Sequence, residues 1–161
     1  MQIEHFENID CYYKTVKDYL LQQEATHCWM LGIGSRKHFT QQPYLAVVTE
    51  NNTVLATAIK TPPPDELVLS KSGSENAIAI IARDLVSRGE SLPGVIAPKP
   101  EALTFAQMWQ SLTGKSYRLG LAQRIYQLEV VNPVNKTNGY LRLATKSDRA
   151  TPHFVRSPFI N

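Results

Sequence analysis

The stretch YLAVVTENNTVLATAIKTPPP, residues 44–64, limits the fold more than any other part of this chain. Tyr44 to Thr49 and Val54 to Ile59 are rich in β-branched residues, and Glu50, Asn51, Asn52 and Thr53 separate them. That pattern predicts a β-hairpin. Pro62, Pro63 and Pro64 lack the N–H groups that further pairing needs, so the second strand must end there. A lone hairpin is marginal in water and needs more strands and a covering layer. Three later stretches offer strands: Glu66 to Ser70, the proline-bounded PGVIAP (Pro93 to Pro98), and YRLGLAQRIYQLEVV (Tyr117 to Val131). The last reads as a strand pair or one bent strand, with Gly120 at the bend.

Helical periodicity fills the intervals. Asp10 is placed to cap a helix carrying Tyr13, Val16 and Leu20 at helical spacing. A second helix is expected from about Glu24 to Leu31, loosened by Gly32 and Gly34. GIGS (Gly32 to Ser35) contains a GxG but follows helical sequence and lacks the third glycine of a dinucleotide fingerprint, so it reads as a helix end. Ile78, Ile81, Ala82 and Leu85 form a stripe ended by Gly89. In KPEALTFAQMWQSLTG, Pro100 suits the first turn, Glu101 suits the dipole and Gly114 is a stop, with Leu103, Ala106, Trp109 and Leu112 at three-residue steps. The order is α, α, β-hairpin, β, α, β, α, β, β, which is an α/β domain with a mixed sheet covered by helices.

The chain of 161 residues, 43% hydrophobic and 19% charged, has the composition of a globular domain with a real core. No apolar run reaches the roughly 18 residues of a membrane span. The opening MQIEHFENID is acidic and has no apolar segment of a secretory signal, so a cytoplasmic protein is expected. Cys11 and Cys28 cannot build a disulfide framework, and His27 beside Cys28 lacks a second ligand pair at zinc spacing, so no metal is expected. Of the net charge of +3, residues 136–161 carry +4 through Lys136, Arg142, Lys146, Arg149, Arg156 and Asp148. The body is nearly neutral and has no basic stripe with interleaved aromatics, so nucleic-acid binding is not expected.

The stretch LVLSKSGSENAIAIIARDLVSRG, residues 67–89, is a strand, a small polar loop and a helix. Two readings stay open. The bare helix N-terminus could cradle a phosphate. Alternatively, Ser72 and Glu75 could form a capping box, in which Ser72 accepts from the N–H of Glu75 and Glu75 reaches back. Glu75 in the first turn would repel an incoming phosphate.

This order of elements over roughly residues 10–130 resembles the GNAT N-acetyltransferase superfamily. The hairpin VVTENNTVLATAI precedes a strand and a loop-to-helix turn, and FAQMWQSLTGKSY looks like the family's aromatic-then-glycine helix end. The resemblance implies a three-layer α/β/α fold with a mixed, mostly antiparallel sheet. It implies acetyl-CoA as cosubstrate, bound by the loop that in the family reads Arg/Gln-x-x-Gly-x-Gly/Ala. The matching positions are Lys71, Gly73 and Ala77, whose spacing departs from the pattern. Leu69, Ser70, Lys71, Ser72, Gly73, Ser74 and Asn76 are thereby the expected coenzyme residues of a degenerate loop. No catalytic residue is assigned: Trp109 stands where the family has a tyrosine acid, and Glu50 and Glu66 are the candidate bases. GYLRLATKSDR (Gly139 to Arg149) looks like the opening strand of a second such domain. The chain is thus similar to the N-terminal part of a tandem protein, truncated in ATPHFVRSPFIN, where Pro152 and Pro158 preclude the expected helix. The expected division is a domain over 1–131, a linker over 132–138 and a second-domain start over 139–161. Implied partners are a catalytic acetyltransferase domain, in this chain or another, or a second copy. In the first case this chain is a non-catalytic packing domain.

Overall fold

The computed structural model describes residues 1–34, 39, 41–62, 66–133, 138–140 and 142–147. Its elements are β1 (Gln2–His5), α1 (Ile9–Leu21), α2 (Glu24–Ile33), β2 (Tyr44–Glu50), β3 (Thr53–Lys60), β4 (Leu67–Leu69), α3 (Glu75–Ser87), β5 (Val95–Ile96) and α4 (Lys99–Thr113). The five strands form one sheet in sequence order. β1 to β4 are antiparallel neighbours, whereas β4 and β5 run parallel. The protein is therefore a mixed α/β structure with a mostly antiparallel sheet.

The hairpin forms where its sequence places it. Glu50 pairs with Thr53, and Asn51 and Asn52 both take positive φ, 48° and 62°. That is a two-residue type I′ turn, which asparagine tolerates and which matches strand twist. Val48 pairs with Ala56 and Thr49 with Val54, so Leu55 is an extra, unpaired residue in a β-bulge.

The alternation along β2 and β3 divides the core in two. Ala46, Val48, Ala56 and Ala58, joined by Leu67 and Leu69, pack with the α3 residues Ile78, Ile81, Ala82 and Leu85 and with Phe105 of α4. Leu45, Val47, Ile59 and Val68 face the other way, against Tyr12, Val16 and Leu20 of α1 and Met30 and Ile33 of α2. Each helix pair thus covers one face of the sheet. On α3 the stripe read from the sequence is buried as expected, and Gly89 (φ 70°) closes the helix, with Glu90 N–H bonded to Leu85 O at 3.0 Å and Gly89 N–H to Val86 O at 3.0 Å. Gly34 ends α2 under the Tyr13 ring, where an added Cβ would lie 2.5 Å from ring carbon.

Several expectations are corrected. Asn8, not Asp10, caps α1, accepting from Asp10 N at 2.7 Å and Cys11 N at 3.2 Å. α2 continues through Gly32 to Ile33, because Met30 and Ile33 are buried against the sheet. α4 turns Glu101 and Phe105 inward, while Leu103 and Leu112 are exposed; a four-residue step, not a three-residue one, follows its buried face. β1 was not anticipated. Its residues are mostly exposed, and it exists through pairing with β2, a long-range contact with no local signature.

The largest correction is at Tyr117 to Val131, which forms no strand. Leu119, Leu121, Tyr126, Leu128, Val130 and Val131 are each 74–83% exposed. Strand propensity reflects packing against neighbours, and among the described residues no strand pairs with this segment. The chain divides into Met1–Gln127 and Leu128–Asn161. In the second unit the described residues of 139–147 contain no strand either; Leu141, Asp148, Arg149 and the final ATPHFVRSPFIN lie outside the described residues.

Asp84 on α3 fastens the β1 edge. Its Oδ1 accepts from His5 Nε2 at 3.1 Å, and its Oδ2 accepts from Tyr44 Oη at 2.8 Å and Arg88 Nε at 2.9 Å. Asp84→Ala should cost about 2 kcal/mol, because three donors around a mostly buried carboxylate lose their acceptor; urea unfolding measures it. A second expectation concerns alkali. Burial pushes the hydroxyls of Tyr12, Tyr13, Tyr19 and Tyr44 upward from 10.0, Tyr13 to about 12. Unfolded tyrosines lose their protons first, so stability should be full below pH 10 and fall as pH rises toward 12. Urea midpoints that stayed constant from pH 9 to 11.5 would contradict this.

Candidate functional site

The candidate site is where β4 stops. β4 and β5 pair in parallel only at Leu67↔Val95 and Val68↔Ile96. Beyond that pair, β4 leads into the loop 70–74 and the N-terminus of α3.

A chain of buried polar groups positions this loop. Thr57, in the middle of β3 and fully buried, donates its hydroxyl to Ala46 O at 3.0 Å. Its single hydrogen being used, Thr57 Oγ1 accepts from Tyr12 Oη at 2.5 Å. Thr57 also exchanges bonds with Ser70: its N–H reaches Ser70 Oγ at 3.0 Å, and Ser70 N–H reaches Thr57 O at 3.0 Å. Tyr19 Oη then meets the Leu55 carbonyl freed by the bulge at 3.0 Å, lies 3.3 Å from Ser70 Oγ, and donates to Lys71 O. Burial pushes the Tyr19 hydroxyl upward; its Ser70 bond opposes this, and the nearby Glu101 adds to it.

His27 of α2 holds the next residue. It is buried, stacks on Tyr19 with ring centroids 5.9 Å apart, and uses both nitrogens. A carbonyl only accepts, so Nδ1 carries the proton donated to Leu20 O at 2.8 Å, and Nε2 accepts from Lys71 N at 3.0 Å. That makes His27 a structural pin, with no nitrogen left for a metal. Among the described residues, no group of three or more His, Cys, Asp or Glu side chains could hold a metal ion.

The loop itself departs from the capping box. Ser74 is the N-cap, accepting from Ala77 N at 3.3 Å. Ser72 instead makes a local turn, its Oγ accepting from Ser74 N at 3.1 Å. Its N–H is taken by Glu101 Oε1, from the first turn of α4, at 2.8 Å. The physical reason is that Ser72 lies two residues too early to reach the first turn, whereas α4 brings a carboxylate directly to its amide.

The expected coenzyme residues divide by environment. The Leu69 side chain is buried in the α3-side core and Ser70 is fully buried, so neither side chain is open to a ligand. Lys71, Gly73 and Asn76 are exposed, and Ser72 and Ser74 are half-buried. Among the described residues, the N–H groups of Gly73, Glu75 and Asn76 meet no protein acceptor. The three candidate catalytic positions lie apart. Glu50 is at the hairpin tip, 3.5 Å from the Met1 amino group. Trp109 stacks on Phe105 at 5.7 Å against the core. Glu66 precedes β4, with its carboxylate beside Gly94.

Sequence reasoning missed Tyr19, His27 and Glu101 as site residues. Tyr19 and His27 come from helices some fifty residues upstream, and Glu101 looks like an ordinary first-turn carboxylate. No local signal distinguishes them. No helix among the described residues is long and apolar enough to cross a membrane. No protein-family model, curated protein or solved structure matches the chain.

The His27 pin yields a direct test. His27→Phe keeps a ring against Tyr19 but leaves Lys71 N–H and Leu20 C=O unpaired, which should cost about 2 kcal/mol. Amide hydrogen exchange should accelerate at Lys71 and Ser72 before it does in α3. Unchanged exchange at these two amides would show that the loop is held by other contacts.

Proposed function

We propose that this chain is a GNAT-like, acyl-CoA-dependent N-acetyltransferase domain with a degenerate pyrophosphate loop. The observation that carries the reading is the strand–loop–helix unit. The β4–β5 ladder ends after two residue pairs, and the loop that follows β4 presents, among the described residues, unclaimed N–H groups of Gly73, Glu75 and Asn76 at the head of a 13-residue helix. Those donors and the helix dipole suit a diphosphate. The helix order and the mostly antiparallel sheet with one parallel pair are also what the resemblance implies.

The reaction class is transfer of an acetyl group from the coenzyme thioester to an amine. The amine nitrogen attacks the thioester carbonyl and loses a proton to a base, and the leaving thiolate gains one from an acid. The polar groups nearest the loop are already engaged: both nitrogens of His27 are bonded, the one hydroxyl hydrogen of Tyr19 is spent on a main-chain carbonyl, and Glu101 is buried on Ser72. The resemblance therefore supports coenzyme binding more than turnover by these side chains.

One observation favours a second reading, a non-catalytic domain that packs on a catalytic partner. Residues 117–131 expose a run of large apolar side chains with strand composition. A partner's sheet edge would pair and bury such a segment by strand addition.

Acetyl-CoA separates the two readings. At about 100 times its dissociation constant, a bound ligand adds about 2.7 kcal/mol of stability, so the melting temperature should climb as acetyl-CoA is raised through the millimolar range. A flat melting temperature over that range removes the coenzyme reading and leaves the packing domain.

A further inference from the structure

The charge that faces the loop from inside the protein is not the one its sequence displays. Glu75 is adjacent in sequence but exposed, so water screens it. Glu101 is 5% exposed and comes from another helix. Its Oε1 takes the Ser72 N–H at 2.8 Å, the kind of contact a phosphate oxygen would make. Among the described residues, its Oε2 is buried with no hydrogen-bond partner.

That second oxygen decides between two explanations. A carboxylate serving only as a cap for Ser72 would be an expensive choice, because a buried charge needs its lone pairs satisfied. A glutamine amide oxygen would accept the same N–H without burying a charge. The placement is different if the carboxylate is regarded as an anion in an anion's seat. The first turn of α4 favours a negative charge at Glu101. The loop it touches leads, within four residues, to the unclaimed N–H groups of Gly73, Glu75 and Asn76 at the head of α3.

Resting on the coenzyme reading above, we propose that Glu101 is a resident anion, holding the Ser72 amide in place of a ligand phosphate. The loop accepts the pyrophosphate of a nucleotide coenzyme only when this side chain is withdrawn or replaced by an uncharged one. An incoming diphosphate meets a like charge in a low-dielectric setting and competes for the same donor. The departure of glycine spacing from the family pattern is then secondary, and a single side chain on α4 sets whether the site is open.

The test uses the whole chain and two probes, inorganic pyrophosphate and coenzyme A, titrated calorimetrically into wild type, Glu101→Gln, Glu101→Ala and Glu75→Gln. Glu101→Gln preserves volume and the bond to Ser72 N–H, so it is the variant expected to fold as wild type does, checked by circular dichroism and melting. Both Glu101 variants should bind pyrophosphate and coenzyme A about tenfold or more tightly than wild type, whereas Glu75→Gln should change binding less than about threefold. The Ser72 amide resonance should shift on addition of pyrophosphate to Glu101→Ala. Folded Glu101 variants that bind pyrophosphate no better than wild type overturn the proposal. If wild type binds coenzyme A as well as the variants do, the coenzyme reading survives and the resident anion falls. Tighter pyrophosphate binding with no coenzyme A binding in any variant keeps the resident anion and removes the coenzyme.

Discussion

Thr57 is the point on which the arrangement of this protein depends. A hydroxyl-bearing residue at the fully buried centre of a sheet is costly unless every polar atom is engaged. Here the hydroxyl joins β2 to α1 through Ala46 O and Tyr12 Oη, and the main chain joins β3 to Ser70 in both directions. The Ser70 bonds continue the β3–β4 ladder one residue past Leu69, and the side-chain bond to Thr57 N fixes the serine rotamer. The direction in which the chain leaves β4 is therefore set by a side chain on β3. Tyr12 and Thr57 act as a unit, and within it α1 is bound to the sheet by hydrogen bonding as well as by apolar packing.

From this centre the polar contacts run outward to the loop. The bulge at Leu55 turns one carbonyl out of the ladder, and Tyr19 takes it up. Tyr19 stacks on His27, and both bond the main chain of Lys71. Each member satisfies a group that its neighbour leaves open, which is the condition under which a buried polar network fixes one conformation instead of weakening the core. The loop is thus held from the α1–α2 side by Tyr19 and His27 and from the α4 side by Glu101. Its side chains are small, but its course is fixed by three residues on three helices.

How much of this was legible in the sequence depends on how far each signal reaches. The hairpin was legible because Asn51 and Asn52 tolerate positive φ and their flanks alternate between two cores. α3 was legible because its stripe and Gly89 are local. β1 was not, since Gln2 to His5 become a strand only through β2, more than forty residues away. The capping box failed for a related reason: Ser72 and Glu75 have the right spacing, but the Ser72 amide is claimed by Glu101, 29 residues later. Glu101 was read correctly as favourable to its own helix. That it also serves another helix's loop is a tertiary fact. The expected coenzyme residues came from sequence position, and the environment separates them: Leu69 and Ser70 serve the core, and the open N–H groups begin at Gly73.

The segment from Tyr117 to Val131 shows the same limit from the other side. Tyr117, Leu119 and Leu121 fall on one face of an extended chain, whereas Tyr126, Leu128 and Val130 fall on the opposite face. One flat surface could not bury both sets, because alternation keeps each set on its own side. A strand of this pattern either bends near Gln123 and Arg124 or lies between two bodies, giving one apolar face to each. β5 is only two residues long and, among the described residues, pairs with β4 alone, so one edge able to receive the first half exists within this sheet. The second half asks for a surface of its own. The composition of this segment led to the expectation of a strand, and none forms: a strand is a statement about two surfaces, and this segment supplies one of them.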